Sequence, residues 1–448
     1  MSDPLSLPTT KPSLTPLQAN FALGVFLLAY ILSFVDRQII SLLVDPIKRD
    51  LGISDLQIGL LQGFAFSLLY ALLGVPFGLL ADRTVRKKII AFGVVFWSVA
   101  TALCGLATSY AFLFAARMGV GVGEATLSPA AHSFLSDAFE PKKLARAMAI
   151  YTMGITVGTG MAYLIGGTVI AAVASAEATQ VPLIGELRPW QMAFLIVAAP
   201  GVLVAGLVFM VKEPARRSLV NGANVADRPS LMAVMRYVLT HWRAFVPIYF
   251  TTAFLGVLGY SLASWFPTLL IRNYGLNAGT AGLYMGVIYL VLGSAGSICG
   301  GFLSEWLARA GRTDANLRVV GIISAALIVP GVVAPLAGAL WATITLLCVL
   351  VFLANAFYGS SIAALQLATP NAMRATNSAL HLLLNNLIGL SLGAAAVPLI
   401  NAFLFSGSAN VGPAIALIAI VVCPLSAALA LFGLKPYRQL IVRNNGAK

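Results

Sequence analysis

The chain has 448 residues, of which 59% are hydrophobic and only 10% charged, against roughly 25% charged in an ordinary soluble domain. With a mean hydropathy of +0.92, it has too few charges to cover its apolar surface in water. A cytosolic enzyme, a disordered regulator and a nucleic-acid-binding protein are excluded, and a membrane protein of many spans is indicated.

Residues 1–18 are polar and Pro-rich, and are expected to form a cytoplasmic tail rather than a cleavable signal peptide. Twelve apolar stretches long enough to span a bilayer follow, near 19–44, 55–81, 88–108, 111–138, 143–173, 190–211, 244–271, 278–307, 317–336, 340–367, 372–404 and 411–433. Cys104, Cys299, Cys348 and Cys423 all fall inside them without metal-ligand spacing and are expected to be packing residues. With the N-terminus inside, 22 of the 28 Lys and Arg residues lie in inner segments and only Lys48, Arg49, Arg188 and Arg272 in outer loops. That asymmetry accounts for the net charge of +13 and places both termini on the cytoplasmic side of the membrane. No basic stripe with interleaved aromatics appears, so nucleic acid is not an expected partner.

The longest inner segment, 213–243, contains Pro214 and Pro229 and then alternates from Ser230 to Trp242 as an amphipathic helix would, with Ser230 able to cap it. It divides the chain into an N-terminal six-helix bundle, 19–212, and a C-terminal one, 244–433, followed by a tail, 434–448. The bundles repeat one another. Gly59, Gly63, Gly78 and Asp82 recur 223 residues later as Gly282, Gly286, Gly301 and Glu305. A duplicated six-helix unit with the site between its halves is a construction of secondary transporters. The expected fold class is therefore an all-α integral membrane protein of twelve helices in two pseudo-symmetric bundles.

Three constellations carry chemistry. The loop after helix two reads Gly78-x-x-x-Asp82-Arg83-x-x-Arg86-Lys87, with Val85 where a Gly is usual, and resembles the signature loop of the major facilitator superfamily. A latch is expected, with Gly78 permitting close helix approach, Asp82 at the N-terminus of helix eleven near Asn371, Arg86 pairing with Asp137, and Glu305 as the second-half counterpart of Asp82. The alternative is a solvated basic loop that only sets topology. In helix four, Arg117 and Glu124 are two turns apart and share a face with Ser128 and His132. In helix one, Asp36 and Arg37 interrupt an apolar run. Each intramembrane charge costs at least about 2.5–3.5 kcal/mol, so these four cost on the order of 10 kcal/mol before pairing. They mark either a functional cavity or salt bridges locking helices one and four, and the two roles can coexist. The second half offers neutral hydrogen-bonders: Asn377, His381 and Asn385 in a stripe on helix eleven, with Asn355 and Tyr358 on helix ten. His381 could equally bridge helices or meet a ligand. Five glycines in helix five, Gly154 to Gly167, are read as close packing.

Asp36-Arg37, Gly59-Leu60-Leu61-Gln62, the Gly78 loop, Arg117-x-x-x-Gly121-Val122-Gly123-Glu124-Ala125 and Lys212-Glu213-Pro214 together resemble the spinster family of the major facilitator superfamily. The resemblance implies a proton-driven transporter of lipid-like molecules, usually monomeric, with Asp36 and Glu124 as proton-coupling acids. Arg37 and Arg117 would tune them or meet a phosphate or carboxylate. The expected partners are protons, the lipid bilayer and a small amphiphilic, anionic substrate of lysolipid or sphingoid type, with a proton gradient in place of any cofactor. Small organic carboxylates and drug efflux are the alternatives. A membrane enzyme is not expected, because the three histidines are isolated and no H-E-x-x-H motif occurs, and ATP drive is not expected, because no Walker loop occurs.

Overall fold

The computed structural model describes residues 14–174, 179–181, 185–216, 230–370, 373–405 and 411–446. Among these, eleven helices are long and apolar enough to cross a membrane. The remaining crossing, helix four, is built from two shorter pieces, Tyr110–Glu124 and Leu127–Ala138. Helix one runs Pro16–Leu42, opening on a capping box from Thr15. Helix two is Asp55–Gln62 followed by Phe64–Arg83, helix three Arg86–Gly105, helix five Pro141–Ala174, and helix six Pro189–Ala198 with Pro200–Met210. Helix seven is Trp242–Tyr274, helix eight spans Ala278–Arg309, helix nine Ala315–Leu336, helix ten Leu340–Ala368, helix eleven Arg374–Leu404 and helix twelve Val411–Gly446. A short hairpin pairs Thr179–Val181 with Gly185–Leu187 between helices five and six.

Four local features depart from straight helices. Helix two breaks at Gly63 and helix four immediately after Glu124, where Thr126 folds its hydroxyl back onto the Gly123 carbonyl at 2.8 Å. Helices eight and eleven each contain a π-helical turn, Ile288–Gly293 and Asn385–Leu390, an irregularity frequent at functional sites. The expected helix in 230–242 is present as Leu231–Thr240, and Ser230 caps it by accepting from the Ala233 N–H at 3.2 Å. The tail expected over 434–448 is instead a continuation of helix twelve through Gly446. Lys435 and Pro436 look like a stop signal, but Tyr437, Leu440 and Ile441 lie one helical stripe further on and bury against Ala244, Phe245 and Leu317.

The duplicated glycines explain how the halves meet. A Cβ on Gly59 would come within 2.7 Å of Pro398 and 2.8 Å of the Ala394 carbonyl, and one on Gly63 within 2.7 Å of the Ser391 carbonyl. Their repeats do the same across the other seam, Gly282 at 2.7 Å from the Tyr163 carbonyl and Gly286 at 2.9 Å from that of Gly160. Helix two thus crosses helix eleven, and helix eight crosses the Gly-rich helix five, backbone to backbone at one end of the molecule. At the basic end the third repeated pair is idle. A Cβ on Gly78 would meet nothing closer than Pro129 at 3.6 Å, an ordinary contact, and one on Gly301 would meet nothing within 4 Å. Among the described residues, the repeated glycines therefore bring the halves together at the end remote from the basic loops and not at the basic end, and the close approach expected of Gly78 is not made here.

Candidate functional site

Three of the four intramembrane charges, Arg37, Arg117 and Glu124, converge where helices one and four face each other. Arg37 Nη2 donates to Glu124 Oε2 at 2.6 Å, with Glu124 essentially fully buried. The Arg37 guanidinium lies 4.4 Å from the Phe66 ring centre, 4.8 Å from Phe34 and 5.4 Å from Tyr70, so aromatic faces cover what the carboxylate does not. Arg117, fully buried, donates to the helix-one carbonyls of Asp36 at 3.0 Å and Arg37 at 3.3 Å. Arg117 and Glu124 thus share the face turned to helix one, as their spacing requires. Gly121 lets helix two pack against the same stretch of helix four, since a Cβ there would run into the Phe66 carbonyl. Asp36 points the other way. Its carboxyl is fully buried and, among the described residues, accepts no hydrogen bond of good geometry, while the Trp97 indole N–H and the Thr101 hydroxyl that face it have no other partner there.

Around Arg37 stands a ring of phenols that the sequence reading largely missed. Tyr30 stacks on Tyr151 at 4.9 Å, with Ser128 beside both hydroxyls. His132 meets Tyr151 edge-on at 5.3 Å and is itself exposed. Tyr70 and Tyr260 face Arg37 from opposite halves, and Tyr260 adjoins Tyr358, which accepts weakly from Asn385 Nδ2 at 3.5 Å. Tyr30, Tyr70, Tyr260 and Tyr358 are each partly exposed. Helices one, two, five, seven and ten each contribute one tyrosine. Ser128, His132 and Tyr358 are thereby placed at one site.

Asn377 and His381 are not. Asn377 is fully buried and spends its side chain on Tyr249, whose hydroxyl donates to Oδ1 at 2.5 Å, and on Thr369 at 2.7 Å. His381 packs its ring 5.3 Å from the same Tyr249. Both tie helices seven, ten and eleven together inside the C-terminal half, because Asn377 and His381 face helix seven, while Asn385, further along the same stripe, reaches Tyr358. Asn355 returns to its own helix, donating to the Val351 carbonyl at 2.8 Å.

At the basic end, Arg86 makes the expected ion pair with Asp137. It also pairs with Glu213 through Nε at 2.7 Å and donates to the carbonyls of Ser133 and Pro214. Lys87 caps the last carbonyls of helix six, Phe209 at 3.1 Å and Val211 at 2.8 Å, and Arg216 donates to Ala81 and Thr84. Every one of these partners belongs to the N-terminal half or the start of the linker. Arg83 is exposed. Glu305 is exposed too and pairs with Arg309 one turn along its own helix at 2.5 Å, not with the opposite half. Asn371 and the side chain of Asp82 lie outside the described residues.

The remote end has a lock that charge counting treated as stray. Arg272 of helix seven donates to Asp45 at 2.6 and 3.0 Å and to Asp55 with both oxygens at 2.9 Å, and Lys48 adds a 2.6 Å pair to Asp55. This fork bridges the two halves.

Two six-helix halves crossing through duplicated glycines, with buried charges at their seam, are the anatomy of a secondary transporter. The family model of the Major Facilitator Superfamily matches residues 26–394. The chain belongs to that superfamily. An MFS-type efflux pump of Mycolicibacterium smegmatis is 31% identical over 380 residues, 84% of this chain and 82% of that one. Protein spinster homolog 1 of Xenopus tropicalis is 29% identical over 327 residues, 67% of this chain and 58% of that one. Among solved structures, a bacterial homolog of the human lysosomal transporter spinster, inward-facing and unoccupied, superposes with a TM-score of 0.74 at 26% identity, covering 96% of this chain and 99% of that one. The chain is thus a spinster-like multi-pass membrane transporter, not an enzyme.

Proposed function

We propose that the protein is a proton-coupled transporter of an amphiphilic, anionic organic or lipid-like substrate, of lysolipid or sphingoid type, acting as a monomer in a bacterial inner membrane with both termini cytoplasmic. The observation that carries this reading is the Arg37–Glu124 pair at 2.6 Å inside a ring of tyrosines from both halves. Glu124 and a substrate anion compete for one guanidinium. While Glu124 is ionised, Arg37 is satisfied. A proton on Glu124 removes the attraction and leaves Arg37 in a low-dielectric site without a counter-charge, which a carboxylate or phosphate then supplies. The phenol hydroxyls suit a polar head and their ring faces an aliphatic body. Asp36, behind helix one, is the second proton acceptor, with its charge state read by Trp97, Thr101 and Arg117. The latch of Gly78, Asp82, Arg83, Arg86 and Asp137 belongs to this cycle. Arg86 stiffens the loop in the present state, and the two halves meet there when the basic end closes. The efflux-pump relative favours export as the direction.

The test is a thermal-shift panel in lipid nanodiscs at acidic and neutral pH. A ligand at 100 times its dissociation constant adds about 2.7 kcal/mol of stability. Lysophospholipids or sphingoid phosphates are expected to stabilise the protein in a pH-dependent way, and Glu124→Gln is expected to remove the pH dependence. Stabilisation by small carboxylates alone would overturn the substrate class, and retained pH dependence in Glu124→Gln would overturn the role of Glu124.

A further inference from the structure

The basic-end surface of the C-terminal half has a feature that transport does not use. The linker helix Leu231–Thr240 has two apolar faces. Val234 is buried, and Tyr237 and Val238 pack beside it on the cluster of Phe245, Ile248 and Leu440. On the other side Leu231, Met232, Met235 and Leu239 are 40–67% exposed and share a sector of about 100° on the helix. Trp242, just beyond the helix, sits 6.4 Å from Phe432, an exposed residue within the apolar span of helix twelve. The linker helix therefore runs beside the lipid-facing flank of helix twelve, at the level where Trp residues gather in membranes. A helix with this pattern lies in the plane of the interface with its apolar face in the acyl boundary.

Next to it opens a cavity of about 450 Å³ lined by Arg243, Arg443, His241, Thr240 and Gln439 beside Trp242. None of its lining residues is acidic. Among the described residues no Asp or Glu lies within ion-pair distance of Arg243 or Arg443, and Arg243 rests 5.5 Å from the centre of the Trp242 ring. The neighbouring arginines differ. Arg318 and Arg438 both converge on Asp314, at 3.0 and 2.6 Å. Two uncompensated guanidiniums with hydroxyl and amide donors, above an apolar surface that faces lipid, match a phosphodiester with acyl chains below it.

We propose that this notch holds the headgroup of one anionic phospholipid of the surrounding leaflet, its chains covering Met235 and Leu239, so that a lipid ties the inter-half linker to helix twelve. The assignment is independent of what the central site carries.

The experiment titrates the full-length protein in detergent with phosphatidylglycerol or phosphatidylcholine and counts retained lipid by native mass spectrometry. One phosphatidylglycerol is expected to be retained in preference to phosphatidylcholine. Arg243→Ala and Arg443→Ala should each weaken retention roughly fivefold and together roughly thirtyfold. Both arginines are exposed, so the variants are expected to fold. Arg312→Ala, an exposed basic-end residue outside the notch, should leave retention unchanged. Equal retention of phosphatidylcholine, undiminished retention in the double variant, or an equal loss in Arg312→Ala would overturn the proposal. Displacement of the lipid by equimolar inorganic phosphate would also overturn it, since the notch would then be a free-phosphate site.

Discussion

Replacing Arg272 with Ala should open the end of the molecule that is closed here. The Asp45 carboxylate in this lock is about half exposed, and its pair is worth at most about 1 kcal/mol. The Asp55 carboxylate is only 8% exposed and accepts two of the four bonds, but it keeps Lys48 when Arg272 is removed. Its loss therefore costs about 1–2 kcal/mol rather than the full penalty of an orphaned buried charge. The sum, about 1–3 kcal/mol, falls only on the state in which the two halves touch at this end. It should raise the ratio of the opposite state to this one about 5- to 150-fold, bringing a state at roughly 1% to between about 5% and 60% of the molecules. Spin labels at Arg49→Cys and Asn273→Cys, both exposed positions on opposite halves, in a background without the four native cysteines, would report the change as a second, longer distance. Arg272→Lys should be intermediate, because it keeps the charge and loses the fork. An unchanged distance distribution in Arg272→Ala would refute the reasoning and show that the glycine crossings alone hold this end.

Those crossings make a paired prediction. Gly282→Ala drives a Cβ into the backbone at the Tyr163 carbonyl and Gly167 Cα, so it should destabilise the closed remote end by about 1–3 kcal/mol and lengthen the same label distance, whereas Gly301→Ala, open on all sides here, should leave it unchanged. Asp314 gives a pH prediction. Burial alone would raise its carboxyl, but the hydrogen bonds from Arg318 and Arg438 outweigh this and hold it below the usual carboxylate range. A depressed value means that its contribution is fully present above about pH 4 and is lost only as pH falls through the lower folded value. Thermal melts of Asp314→Asn should therefore lie below wild type by the same margin at pH 7 and pH 5, and converge with it only in stronger acid.

What could be read in the sequence was whatever repeats or whatever the bilayer forbids. The spans, the halves and the Ser230 cap follow from hydropathy, from an offset of 223 residues and from one Ser before an apolar run. Asp36, Arg37, Arg117 and Glu124 stood out because charge is costly in a membrane. The tyrosine ring did not, because Tyr30, Tyr70, Tyr151, Tyr260 and Tyr358 come from five helices, and each alone is indistinguishable from a packing aromatic. Arg272 was hidden for the opposite reason, since a charge in an outer loop needs no explanation until its partners on the other half are seen. Glu213 fell in a motif that matched a family without disclosing that it holds Arg86. Asn377 and His381 were misplaced because helical spacing gives a face but not the neighbour it turns to.

The three repeated glycine pairs also bear on how the molecule moves. A helix pair that must separate in one state and touch in another needs a surface flat enough for contact, yet that surface can be in use at one end only. Gly59, Gly63, Gly282 and Gly286 are in use, and substituting any of them meets backbone within 3 Å. Gly78 and Gly301, about 28 Å further along the same two helices, have room to spare. The same sequence offset thus links contacts that are made to contacts that are not, as a rocking motion about a level between them requires. The Arg37–Glu124 pair ties helix one to helix four, which breaks immediately after Glu124. On the reading proposed above, a proton on Glu124 would loosen helix four from helix one at a level between the glycines that are in use and those that are not.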